Sequence, residues 1–429
     1  MKSKKLKAAI VLMISAGIAD VQSQNGKGVY VATNHTTANT VVGFIQDGNG
    51  ALNMIGEFPT EGKGTGNVEI FDWGYDHTHP LKDGIDPLIS AYGLTNTKDG
   101  KFVIVVNAGD ASISTMKVMA DKSLTSVDKA AAGDIHPLSV ASHGNLVYVA
   151  SSGNVPTPPF SGNLKGFKID ANGKLTAISN SVRDLNARPS CVAFTEDGKF
   201  LVVNELVSGL VKIYAVNTDG SLSDAPVSQA NSPHDSKNGR WLPIPVGFDI
   251  VKKGNKHIVL VSEARFLDNK GMLREETNKV PQSPKYSWQT GSTSSYVVDS
   301  KGQIELVSGD VKTGNSMEGG QIANCWVEIS KDGKTLWAAN ALSSSISSYS
   351  IADNGELKLT DETLYKDTSE ELFFSDLVVS EDGKYLYQLI GNQGAVMVFE
   401  VLAGNKLKEL GVYSSTQLPK VGTYGIITL

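Results

Sequence analysis

The chain has 429 residues, a formal net charge of −6 and 43 glycines, with 20% charged and 7% aromatic residues. That length supports a large core, the acidic balance disfavours nucleic acid and anionic lipid as partners, and two cysteines are too few for a disulfide framework. Many short β-rich runs and few helix-period stripes point to one large all-β domain.

At the N-terminus, Lys2, Lys4, Lys5 and Lys7 precede the apolar run of residues 8–19, which ends with the small residues Gly17 and Ala19. This is the pattern of a secretory signal peptide covering residues 1–19, which leaves residues 20–429 as a single domain in the periplasm or outside the cell. The run is shorter than the ~20 residues a spanning helix needs and no second such run follows, so no membrane span is expected. Cleavage removes four lysines and no acid, shifting the formal charge from −6 to −10.

Next comes NGKGVYVATN at 25–34, a turn and a strand with no strand before it. Residues 66–87 follow as an insertion rich in Asp, His and aromatics. His77 and His79 with Asp72, Asp76 or Asp83 are suitable metal ligands, yet H-x-H without a third ligand at defined spacing is a weak pattern, and no metal or cofactor is expected.

From residue 90 onward one strand–turn–strand unit recurs. It reads SAYGLTNTKDGKFVIVVNAG (90–109), PLSVASHGNLVYVASSG (137–153), ARPSCVAFTEDGKFLVVNEL (187–206), PVGFDIVKKGNKHIVLVSEA (245–264), NCWVEISKDGKTLWAAN (324–340) and SDLVVSEDGKYLYQLIGN (375–392). Each is followed by further runs split by Gly, Asp or Asn turns, as in 209–227, 345–364 and 394–413. Four strands every 40–50 residues define a β-propeller blade. The chain ends KVGTYGIITL (420–429), a first strand lacking its second, which residues 25–34 supply. The expected fold is a seven-bladed β-propeller of four-stranded antiparallel blades, closed by its C-terminal strand.

In such a fold the innermost strand starts, and the second strand ends, on one face around the channel. Asn34, Asn107, Asn204, Asn340 and, nearly, Asn392 end second strands, which marks them first as turn chemistry. Departures from the repeat are more telling. Glu205 and Glu263 put carboxylates at that end of neighbouring blades, where a close pair can provide a general acid or base, or else meet Arg188, Arg240 or Arg265. His136 precedes an innermost strand and titrates near neutrality. Trp326 is a candidate stacking platform or core residue. Cys191 and Cys325 lie a blade apart, beyond the roughly 7 Å reach of a disulfide, and are expected as buried thiols. Insertions at 231–243 and 264–291 flank the fifth blade on the same face, bringing Arg240, Trp241, Arg265 and Arg274 toward an anionic or carbohydrate-like ligand.

The runs DPLISAYGL, HPLSVASHGNLVYVA, PSCVAFTEDGKFLVVNEL and ANCWVEISKDGKTLWAAN resemble the seven-bladed propeller lactonase family, and most of all its exported, 3-carboxymuconate cyclase-like branch. The resemblance implies a site at the channel mouth with a histidine, arginines and a glutamate. His136 matches the start of the family's His-Pro-His-Ser run, in which Leu138 replaces the second histidine, and Glu205 matches its glutamate-bearing strand end. Ser190 and Cys191 stand where the family carries a basic pair. That departure removes positive charge from the oxyanion's place, and export argues against a phosphosugar substrate.

Two functions are consistent with these residues. One is hydrolysis or isomerisation of an unphosphorylated lactone, with Glu205 as base, His136 as proton shuttle, Glu263 beside them, and Arg265 or Arg240 at the oxyanion, while Asn204, Trp241 and Trp326 contact substrate. The other is a non-catalytic monomeric propeller presenting its long-loop face to a glycan, peptide or protein.

Overall fold

The tip of the inner hairpin is built the same way in four blades, from Ser/Thr-x-Asp-Gly-Lys at 97–101, 195–199, 330–334 and 380–384. Thr97, Thr195, Ser330 and Ser380 donate to Asp99, Asp197, Asp332 and Asp382 at 2.6–2.9 Å. Each aspartate also accepts the N–H two residues on. The glycine between sits at φ 67–71°, in the left-handed region that a side chain disfavours. These turns reverse the chain and set the register of the strands on either side.

The computed structural model describes residues 26–66, 88–153, 161–206, 208–235, 237, 240, 242–266, 288–314, 320–370 and 372–429. They form seven antiparallel sheets. Blade one joins Tyr424–Thr428 to Lys27–Ala32, Thr40–Gln46 and Leu52–Pro59. Blades two, four, six and seven open with Leu94–Asn96, Pro189–Phe194, Asn324–Ile329 and Phe374–Val379, and each adds three strands outward in chain order. Blade three opens with Pro137–His143, and its outer edge is split between Leu175–Ala177 and Arg183–Leu185. Blade five splits its inner edge, Pro243–Ile244 and Phe248–Lys253 both pairing with Lys256–Phe266.

The seven inner strands touch one another in order and return from Phe374–Val379 to Tyr424–Thr428, closing the ring. Closure is sequence-distant: Val29 pairs Thr428, Tyr30 pairs Ile427, and Gly28 and Leu429 exchange backbone hydrogen bonds at 2.8 and 2.9 Å. Val202, Val259, Leu336, Leu386 and their neighbours are wholly buried between blades, each contributing about 1.5–3 kcal/mol of apolar burial.

Blade two departs from the expected unit. Its inner strand is only Leu94–Asn96, because Ile89 and Tyr92 adopt φ of 43° and 59° and turn the preceding residues out of the sheet. Residues 1–25, which include the stretch expected to be a signal peptide, most of the 66–87 insertion with its two histidines, Arg274 and Trp241 lie outside the described residues.

Candidate functional site

Pro189 pairs with Glu205 across the inner hairpin of blade four, so inner-strand starts and second-strand ends share a face, opposite the Asp-Gly-Lys turns. On this mouth face the strand-end asparagines are structural ties. Asn204 is fully buried; its amide donates to the Pro245 and Val246 carbonyls at 3.0 and 3.3 Å and accepts from Ser190 at 2.9 Å, linking blades four and five. Asn107 and Asn340 instead donate to serines on the third strands of their own blades, Ser112 and Ser114, and Ser345 and Ser347.

Glu205 and Glu263 each have their own cation. Glu205 is 1% exposed, ion-paired with Lys212 and bonded to the Ser208 hydroxyl at 2.6 Å. Lys212 reaches it because Val203 and Lys212 are cross-strand partners. Burial and the Glu205 charge push the Tyr214 hydroxyl up to about 12. Glu263, fully buried, accepts from Arg265 at 2.7 Å, Ser292 at 2.5 Å and Ser294 at 2.6 Å. Arg265 also reaches Asp310 at 3.2 Å. Arg240 grips Asp310 through Nε and Nη2 and the Thr290 carbonyl through Nη1. Burial raises the Asp310 carboxyl, but the Arg240 hydrogen bonds and the Arg265 charge outweigh it and hold the group below the usual carboxylate range.

Thus Glu263, Arg265 and Arg240 form one cluster with Asp310, and Glu205 forms another with Lys212. Among the described residues no hydrogen bond or ion pair joins the two clusters, or either of them to His136.

His136 stands at the entry to the inner strand of blade three with φ 51°; Ala323 enters blade six at φ 57°, so this conformation belongs to the repeat. Its Nδ1 is buried without a hydrogen-bond partner. Burial and, after a backbone contact at Gly153 that opposes it, the Arg188 charge lower its pKa, favouring the neutral imidazole. Arg188 is 2% exposed and donates to the carbonyls of Leu88 and Ile89, the latter at 3.3 Å.

Those carbonyls belong to a strap, Leu88–Gly93, that crosses the channel. Ser90 Oγ donates to the Leu138 carbonyl of blade three at 2.8 Å. Ala91 N donates to Ser190 O of blade four at 3.2 Å, Val140 N donates to Tyr92 O at 2.8 Å, and the Tyr92 hydroxyl donates to Phe248 O of blade five at 2.9 Å. Trp326 of blade six donates its indole N–H to Ser90 O at 2.9 Å, and it meets Phe373 edge-on at 6.0 Å. Trp326 is 2% exposed and is part of the strap's seat.

Beneath the strap lie acids that the repeat did not flag. Asp249 accepts the Ile329 N–H of the next blade at 2.8 Å, and Glu328 accepts the Val379 N–H at 2.9 Å. Burial raises both carboxyls, Asp249 adding to the rise at Glu328. Cys191 is fully buried and its thiol is pushed up by burial; no disulfide joins it to Cys325, in keeping with their separation by a blade.

Fold and site together define the class: a seven-bladed β-propeller with a self-occupied axial channel. Within that class the chain matches the family described as "Lactonase, 7-bladed beta-propeller", over residues 136–240 and 330–420, bearing out the resemblance read from its repeats. No curated protein matches the sequence. Among solved structures, the "putative 6-phosphogluconolactonase" of Bacteroides fragilis is similar at TM-score 0.63 and 14% identity, covering 96% of this chain and 100% of that one. The periplasmic gluconolactonase of Pseudomonas aeruginosa has TM-score 0.63 and 14% identity, covering 94% and 99%. A hypothetical selenium-binding protein of Sulfolobus tokodaii reaches 0.62 at 10% identity, covering 94% and 93%, so at this distance the likeness speaks for the fold alone. No helix among the described residues is long and apolar enough to cross a membrane.

Proposed function

We propose that this propeller is an exported lactonase-like protein that takes an unphosphorylated lactone or related cyclic ester at the channel mouth and opens or isomerises it. The reading is supported by the buried His136 Nδ1 that has no hydrogen-bond partner, on an imidazole whose pKa is lowered by burial and by the charge of the buried Arg188 guanidinium. His136 is the general base on water. Arg188, which sequence reasoning weighed only as a partner for a carboxylate, supplies the positive charge that Ser190 and Cys191 lack, and it stabilises the developing oxyanion. Glu205 with Lys212, and Glu263 with Arg265, Arg240 and Asp310, shape the surrounding mouth and fix its charge. Hydrolysis of a panel of unphosphorylated sugar and aliphatic lactones tests the reading. Acceleration over the uncatalysed rate supports it.

One observation favours a second reading. Glu205 and Glu263 are at most 1% exposed and already paired, which suits a non-catalytic propeller that binds a glycan, peptide or protein at this face. Absence of hydrolysis across the panel selects that reading. Export is supported by the N-terminal sequence pattern, and N-terminal sequencing of protein recovered outside the cytoplasm tests it against a start near residue 20.

A further inference from the structure

We infer that the mouth end of blade three is a binding site for a small carboxylate, held by Lys165 with Ser151 and Asn163 in the place that the chain's own Glu205 carboxylate takes in blade four.

The repeat supplies its own control. Three positions stand together at this end of a blade: the last residue of the second strand, its partner at the start of the third, and the third-strand residue two further on, all on one face of the sheet. In blade two they are Asn107, Ser112 and Ser114, and in blade six Asn340, Ser345 and Ser347; each asparagine donates to both of its serines at 2.8–3.2 Å. In blade four the first position is Glu205 and the third is Lys212, and the two form an ion pair. Blade three carries Ser151, Asn163 and Lys165 at these positions, and none of them bonds another. Ser151 is fully buried and Asn163 is 7% exposed, yet Ser151 Oγ and Asn163 Oδ1 have no hydrogen-bond partner. Lys165 is half-buried, donates to the Ala131 carbonyl at 2.9 Å and lies over the Phe167 ring at 5.1 Å. Unlike Lys212 it is in no ion pair among the described residues.

Glutamate carries a carboxymethyl group where serine carries its hydroxyl, so an acetate-sized anion completes in blade three what Glu205 completes in blade four. Lys165 supplies the charge, Ser151 donates its O–H, and the Asn163 amide can turn its Nδ2 to donate as well. Gly133 borders the set: a Cβ there would stand 2.9 Å from Lys165 Cδ and 3.6 Å from Asn163 Oδ1, which places both side chains at one spot. Asp184, cross-strand from Asn163 on the outer edge, is exposed and makes no ion pair with Lys165. On the inner side Ser151 pairs with Pro137, which follows His136, so the site adjoins the proposed base. A hydroxy acid formed by lactone opening carries the group this site takes. That link rests on the reading of His136, whereas the site itself does not.

Acylation of lysines in the full chain by a sulfo-NHS ester, mapped by mass spectrometry, reads access to Lys165, with exposed Lys168 on the same strand as internal reference. Sodium acetate, titrated to saturation, is expected to slow Lys165 labelling at least about fivefold relative to Lys168, while sodium chloride at equal ionic strength does not. Ser151→Glu, which gives blade three a carboxylate of its own, is expected to slow that labelling without acetate and to leave acetate no further effect. Lys165→Met is expected to lose the rise in Tm that acetate gives the wild type, and an undiminished rise overturns the proposal. So does wild-type labelling that acetate leaves unchanged, or that chloride slows equally. Acetate protection that persists in Ser151→Glu also overturns it, because the anion then binds elsewhere. Where Ser151→Glu does not fold, Asn163→Leu decides: weakened acetate protection supports the site and undiminished protection sinks it. None of these readouts involves turnover, so an inactive protein leaves the site standing, and failure of the site leaves the role of His136 untouched.

Discussion

Arg240 holds Asp310 through two nitrogens, Nε at 2.7 Å and Nη2 at 2.5 Å, and Asp310 in turn meets Arg265 at 3.2 Å. One carboxylate thus serves two guanidiniums that are 6% and 0% exposed. Asp310→Asn takes the carboxylate from Arg240 while Arg265 keeps Glu263, and about 3 kcal/mol of stability is expected to go with it, read as a lowered denaturant midpoint at unchanged slope. Arg240→Lys, which cannot reproduce the two-nitrogen grip, is expected to cost less but in the same direction.

Glu205→Gln carries a revised expectation. From sequence, a general base predicts lost turnover at nearly unchanged stability. In the structure the substitution leaves the buried Lys212 ammonium without its carboxylate, so a loss of about 3 kcal/mol in urea unfolding is expected whatever happens to turnover. Lys212→Met in the same background is expected to recover part of it, since the stranded charge is gone.

Asp249 and Glu328 give the fold a pH dependence of definite sign. Their folded-state pKa values are raised, so the folded protein holds more protons than the unfolded chain across the window above the usual carboxylate range. Stability from these groups is therefore present at acid pH and lost as pH rises through that window. Glu328→Gln keeps an oxygen for the Val379 N–H and removes the titration. The Tm difference between the variant and the parent is expected to grow in the variant's favour from pH 5 to pH 8. A difference flat in pH contradicts this.

Closure through Tyr424–Thr428 makes the C-terminus indispensable. Ending the chain before Tyr424 removes the inner strand of blade one and bares the edge of Lys27–Ala32. Aggregation or loss of the cooperative thermal transition is expected, and a synthetic peptide of residues 420–429 is expected to restore part of it.

The fold was legible because its determinants are local and repeated: Thr195, Asp197 and Gly198 announce their turn from sequence spacing alone, and the split blade follows from Gly28 and Leu429 lying at unfinished ends. The site was legible only in part. Glu205, Glu263, Arg240 and Arg265 were found, but their partners Lys212 and Asp310 sit on outer strands whose register no single unit reveals. Arg188 was visible beside Pro189, yet its neighbours come from a segment about a hundred residues earlier. The strap was misread as strand because SAYGL matches the repeat, while the positive φ at Ile89 and Tyr92 has no signature in residue type. Asp249 and Glu328 were hidden by apolar strand patterns that their burial leaves intact.

The base at His136 is the centre of the functional account, and a pH profile of lactone opening by the wild-type chain and by His136→Gln tests it most directly. With D-glucono-1,5-lactone among the substrates, and the uncatalysed rate subtracted, the wild type is expected to retain activity below pH ~6.5, since the depressed imidazole stays neutral there, whereas His136→Gln is expected to lose at least about 100-fold in kcat with its Tm unchanged. Equal turnover by the two proteins, or no acceleration by the wild type on any lactone, would contradict the account.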